Sequence, residues 1–287
     1  MTRRLHISAI RFLNPAPLMW DFEHPPEMER LAERYQIHSA MPSQCAVELA
    51  TGSADIGLIP IAAYATTPGL AILRGCTIAS LDRVRSIILV IKHPDGMRAV
   101  RRVAADTASR TSNAYARIIF RKFHQTDPEF VPFAPDLDAM LETCDAAILI
   151  GDPALLALED REARLTRTGE ALEYVDLGHV WKQHTGVPWV SAVWGVRPEA
   201  IDQAGVMAEQ VTQDFVDSRD HGMAHIEDLV REWTPRIAVP AATIRSYLGE
   251  HIHYVLDEAC LAGIDLFFRY AAETGVLPQA PPLRWLE

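Results

Sequence analysis

The sequence predicts an α/β protein of two similarly built lobes with a cleft between them. Three observations carry this. Over the first two thirds of the 287 residues, short apolar runs rich in β-branched residues alternate with helical patterns. The last third holds only long helical stretches, at 199–233 and 241–274, separated by Pro235 and Pro240 and followed by Gly275. The third observation is an internal echo. CAVELATGSADIGLIPIAAY (45–64) and DAMLETCDAAILIGDPALLAL (138–158) both run helix, Asp, strand, Pro, helix. Asp55 and Asp145 stand 90 residues apart, and Pro60 and Pro153 stand 93 apart.

The elements follow in order. Strands are expected at 5–10, 54–60, 86–91, 103–105, 146–150 and 189–196, each bounded by polar, Gly, Pro or Asp positions. Helices are expected at 46–51, 112–124, 137–143 and 154–159, each after a polar or proline start. This alternation calls for mostly parallel sheets. Two lobes need two crossings, and 86–91 and 189–196 are the natural crossover strands. One lobe is then residues 1–90 plus 195–287, and the other is 91–194. Clefts between domains favour binding sites.

Composition narrows the function. The chain is 49% apolar and 23% charged, with a net charge of −11. That excludes disorder, and it argues against nucleic acid and anionic membranes, which need excess Lys and Arg. The apolar run after Arg3 and Arg4 is too short for a secretory signal, and no run spans a bilayer. Cys45, Cys76, Cys144 and Cys260 show no metal spacing and read as free, buried thiols in a reducing cytoplasm. Monomer and homodimer are both left open.

No GxGxxG, P-loop, HExxH or GxSxG is present. Five spots near strand or helix ends remain. Asn14, between Phe12-Leu13 and Pro15, sits where Pro15 and Pro17 restrict the backbone and disfavour helix, and it donates and accepts without charge. Ser43, beside Gln44, reads as the N-cap of an apolar helix whose free amides suit a carboxylate. Ser86 is a lone hydroxyl entering a very apolar strand. Ser109, Arg110, Thr111 and Ser112 join a strand to a helix, a dense set of groups for an anion. Gly151 allows close backbone approach, and Asp152 next to it is either a ligand group or a helix cap.

In this order and spacing, FLNPAPL (12–18), MPSQCAVELATGSADIGLIP (41–60), RSIILV (85–90), SRTS (109–112), ILIGDPAL (148–155) and YVDLGHVWKQHTGVPWVSAVW (174–194) resemble the menaquinone-biosynthesis family of the futalosine pathway. The SRTS loop makes the chain more similar to the chorismate dehydratases than to their siblings, the 1,4-dihydroxy-6-naphthoate synthases. The resemblance implies a two-lobed periplasmic-binding-protein-like (type II) fold put to enzymatic use. The reaction it implies is loss of water from chorismate, a small dianion, giving 3-[(1-carboxyvinyl)oxy]benzoate. No metal or organic cofactor is implied. It makes Asn14 and Ser86 the carriers of the chemistry, and the SRTS loop and the Ser43 helix start the carboxylate contacts. The alternatives are the sibling synthase, which calls for a larger pocket and a His base, and a non-catalytic solute-binding protein.

Overall fold

In a computed structural model, which describes residues 3–92, 94–107 and 109–287, ten strands form two five-stranded sheets. The strands are β1 Leu5–Ile10, β2 Tyr35–Ala40, β3 Ile56–Pro60, β4 Ala71–Ser80, β5 Ile87–Ile91, β6 Arg102–Asp106, β7 Glu129–Phe133, β8 Ala146–Ile150, β9 Glu173–Asp176 and β10 Trp189–Val196. One sheet runs β2-β1-β3-β10-β4 and the other β7-β6-β8-β5-β9. Each has one strand antiparallel to its neighbours, β10 in the first and β5 in the second. These two are the first strands laid down after each crossing.

The echo in the sequence is a structural repeat. Asp55 precedes β3, accepts the His6 amide of β1 at 2.9 Å, and gives its own amide to the His6 carbonyl. Asp145 precedes β8, accepts the Arg102 amide of β6 at 2.8 Å, and gives its own amide to the Arg102 carbonyl. The same carboxylate therefore pins the same strand pair in both lobes.

The expected limits of the lobes, after residue 90 and before 195, cut through β5 and β10. Pairing puts all of β5 in the second sheet and all of β10 in the first, because a strand joins whichever sheet satisfies its backbone. The crossings are the connections on either side, 81–86 and the helix Leu177–Thr185. The helical third breaks at Gly205, whose φ is +65°, at 234–240 and again at 252–257, inside the expected stretch 241–274, leaving Pro198–Ala204, Ala208–Ala224, Ile226–Trp233 and Glu258–Glu273 as its main helices. They cover the first sheet, and Phe215, Phe267 and Phe268 join Trp189 and Trp194 in its core. Among the described residues no helix is long and apolar enough to cross a membrane.

Candidate active site

The carboxyl ends of β1, β3, β6 and β8 point toward one another across the gap between the sheets, the position where open α/β sheets bind ligands. A cavity lies there, lined by residues of both lobes, where clefts between domains hold small molecules. Three helices of nine or ten residues start at its wall. Pro42–Thr51 contributes Pro42, Arg110–Ile118 contributes Thr111 and Ser112, and Gly151–Glu159 contributes Gly151. Helix N-termini carry partial positive charge and favour an anion. The remaining wall includes Ile10, Phe12, Asn14, Pro60, Ile78, Ser86, Ile87, Ser109, Ile150, Ser191 and Ala192. No charged side chain is among the described wall residues.

The expected residues sort into two groups. Asn14, Ser86, Ser109, Thr111, Ser112 and Gly151 meet at the cavity. Ser86, Ser109, Thr111 and Ser112 are only 2–4% exposed. Ser43, Gln44, Arg110 and Asp152 do not line it. Arg110 is exposed, because the residue after an N-cap on this helix points away from the sheets. Ser43 is not the N-cap: Met41 is, in extended conformation without a side-chain cap bond, and Pro42 takes the first helical position, where its missing N–H costs nothing. Gln44 is exposed and its amide nitrogen donates to Glu48 Oε1 at 2.8 Å.

Asp152 faces the first loop, where Oδ1 accepts the Leu13 amide at 3.1 Å. It therefore joins the lobes and holds the loop that carries Asn14. Burial raises its carboxyl pKa above the ordinary value, and the Leu13 bond works against that rise. Gly151 beside it has φ +60°, and a Cβ there would press the Phe12 ring at 3.0 Å. Its freedom thus serves a turn and a contact from the other lobe. Thr111 makes a third bridge, since its Oγ1 accepts the Ala62 amide at 3.1 Å.

Each hydroxyl's bonding shows what it offers a ligand. Ser109 is the N-cap of its helix, and its Oγ accepts the Ser112 amide at 3.2 Å. Thr111 Oγ1 accepts Ala62, and Ser191 Oγ accepts the Trp189 indole N–H at 2.8 Å. An indole N–H and a backbone amide are donors only, so each fixes an oxygen as acceptor and leaves its proton to be given elsewhere. Asn14 is the complement: its Oδ1 is buried with no hydrogen-bond partner. Asn14 itself lies in a turn, as the flanking prolines predict. A one-turn 3-10 helix, Ala16–Met19, starts just after it, because a proline at a helix start loses no bond.

Ser86 follows a turn in which its amide donates to the Val84 carbonyl at 2.7 Å, across Arg85 with φ +59°. A three-residue turn with a positive φ at a non-glycine residue is strained. Asp176 holds it, accepting the Val84 amide at 3.2 Å and the Arg85 amide at 2.7 Å while capping the next helix through His179 at 3.0 Å. Behind Ser86 lies Tyr247. Burial raises its hydroxyl well above the ordinary range, with the neighbouring Ser86 working against the rise. Its oxygen makes no hydrogen bond of full geometry.

Sequence reasoning missed Ser191, Tyr247 and Asp176. A signal existed for Ser191, a lone hydroxyl in the apolar run WVSAVW. The four thiols are free and buried, and burial pushes Cys45 up to about 11 and Cys76 and Cys260 up to about 12, which keeps them protonated.

The chain is similar over nearly its whole length to two solved structures. One is a protein of Archaeoglobus fulgidus, at 15% identity and a TM-score of 0.70, covering 95% of this chain and 98% of that one. The other is the periplasmic aliphatic sulphonate binding protein SsuA of Escherichia coli, at 14% and 0.64, covering 100% and 94%. The fold is periplasmic-binding-protein-like, with the cavity between its two lobes. Within that class the chain belongs to the menaquinone-biosynthesis family, which it matches over residues 5–273. It is 28% identical to the chorismate dehydratase of Thermus thermophilus over 258 residues, 87% of this chain and 90% of that one.

Proposed function

We propose that the protein is a chorismate dehydratase, removing water from chorismate to give 3-[(1-carboxyvinyl)oxy]benzoate. The observation that carries this is the bonding of the cavity wall. Oriented hydroxyl donors and three helix N-termini gather at a space whose wall also carries Asn14, with its Oδ1 unpaired. Chorismate offers the complement, two carboxylates and one ring hydroxyl. Each hydrogen bond to a charged group contributes about 1.5–3 kcal/mol, so a few such donors hold a dianion without Lys or Arg.

Loss of the ring proton and the ring hydroxyl makes the ring aromatic, so the reaction runs downhill and needs little of the protein. Asn14 Oδ1 accepts from the leaving hydroxyl and orients it. Ser86 donates to the charge that develops as the proton leaves, and a substrate carboxylate or a water held by Ser86 takes that proton. The proton and hydroxide leave together as water. Contacts between the lobes at Leu13, Phe12 and Ala62 hold the two walls in place around the substrate.

Incubation with chorismate tests the reading: a new benzoate absorbance is the expected result. Asn14→Asp and Ser86→Ala should each lower kcat by about 10²–10³. If both variants kept near-native turnover with an intact fold, these roles would be wrong. A solute-binding reading draws on the sulphonate-binding neighbour and predicts chorismate recovered unchanged. The sibling synthase reading calls for a His base, and no His is among the described wall residues.

A further inference from the structure

We infer that Ser191 holds an anionic oxygen of the ligand, as a hydrogen-bond donor aimed by Trp189. This rests on the reading of the cavity as a site for a dicarboxylate, and it adds a contact from the first lobe. β10 is apolar on both faces, and Trp189, Val190, Val193, Trp194 and Val196 are fully buried. Within it the register against β4 slips between Val190 and Ala192, so that Ser191 is the extra residue of a bulge. A bulge turns a side chain out of the regular alternation. Here the residue it turns is the only hydroxyl of the strand, and it lines the cavity beside Ala192 and Ile78.

The second observation is the indole. Trp189 is fully buried, and its Nε1–H donates to Ser191 Oγ at 2.8 Å. That bond satisfies a buried donor and removes one acceptor site from the serine. No other hydrogen bond of the Ser191 side chain is formed to a described residue. The serine proton is left for whatever fills the cavity, and a carboxylate oxygen is the acceptor that rewards it most. Ser109 and Thr111 present protons in the same way from the second lobe. The ligand is thereby held from both lobes.

The test compares wild type, Ser191→Ala and Ser191→Asp. KM and kcat are measured with chorismate, and Kd by calorimetry with isophthalate, a stable aromatic dicarboxylate, alongside the thermal midpoint. Ser191→Ala should raise KM and the isophthalate Kd about tenfold or more, with kcat within about threefold of wild type. Its midpoint should fall, because the indole N–H loses its partner. Ser191→Asp keeps an acceptor for the indole but puts a carboxylate in the cavity wall, so it should bind isophthalate still more weakly than the alanine variant. The inference is overturned if either variant binds isophthalate within twofold of wild type, including the case in which none of the three binds it. If wild type fails to convert chorismate but the isophthalate losses appear, the dehydratase reading falls and the role of Ser191 stands.

Discussion

At the scale of single residues, Gly222 leaves no room for a side chain: a Cβ on it would lie 2.0 Å from the Pro17 carbonyl oxygen. Helix Ala208–Ala224 and the loop after β1 meet there backbone to backbone, and Ser218 ties them further, donating to the Leu18 carbonyl at 2.9 Å and accepting the Asp21 amide at 3.0 Å. Gly222→Ala should cost about 2–3 kcal/mol, seen as a thermal midpoint several degrees lower, and should reduce turnover because the displaced loop carries Asn14. Asp152 holds the same loop from the other lobe. Its raised pKa means the folded state binds the proton more tightly than the unfolded chain does. The charged carboxylate therefore works against stability once the pH rises through the ordinary carboxylate range, and fully so above the raised folded value. Asp152→Asn should stabilise the protein at pH 7, with the gain fading to nothing below about pH 4. Activity should persist, because the amide oxygen still accepts Leu13. Thermal midpoints across that pH range check both parts. Residues of this kind were partly legible. Asn14 and Ser86 stood out as polar groups set in apolar or proline-bound surroundings. The part Asp152 plays was not, because its partner lies 139 positions away.

At the scale of elements, six strands were read from runs of β-branched residues, and β1, β8 and β10 have the expected limits. The four missed strands lack that signature for separate reasons. β4 is interrupted by Arg74-Gly75, with Gly75 at φ +82°, where the pairing to β10 slips. β7 contains Pro132 and lies at a sheet edge, where a missing N–H is tolerated. β2 is an edge strand with half its residues exposed, and β9 is four residues long. The crossing at 81–86 was also illegible, since a positive φ at Arg85 has no sequence mark. Asp176 accounts for it by collecting two amides of that turn. Asp176→Ala should lose about 2 kcal/mol or more and lower kcat more than it raises KM, because Ser86 moves while Ser109 and Thr111 stay. Arg85→Gly alone should change stability by less than about 1 kcal/mol, but in the Asp176→Ala background it should recover part of the loss. Glycine takes the turn without the clamp. Additive losses in the double variant would show that Asp176 serves only as a helix cap.

At the scale of the whole molecule, the echo between 45–64 and 138–158 announced two lobes because the same Asp pins the same strand pair in each. What the echo could not announce is how the cleft between them treats charge. A net charge of −11 suggests a poor host for a dianion. The described wall carries no charged group, however, and its donors are hydroxyls and helix starts, whose partial charges act over the length of a hydrogen bond. Salt acts on the two contributions differently. The Debye length falls from about 10 Å at 0.1 M to about 3 Å at 1 M, which screens interactions across solvent but hardly touches short hydrogen bonds to the cavity wall. A cradle of Lys and Arg at an open rim would lose affinity steeply as salt rises. Here the short-range bonds should hold, while screening relieves the repulsion between the acidic surface and the incoming dianion. The KM for chorismate should therefore change by less than about twofold between about 0.05 and 0.5 M salt. A KM that climbs steeply over that range would mean that a cation, Arg110 being the nearest in sequence to the hydroxyls, swings in to cover the ligand, and that the neutral wall does not hold it alone.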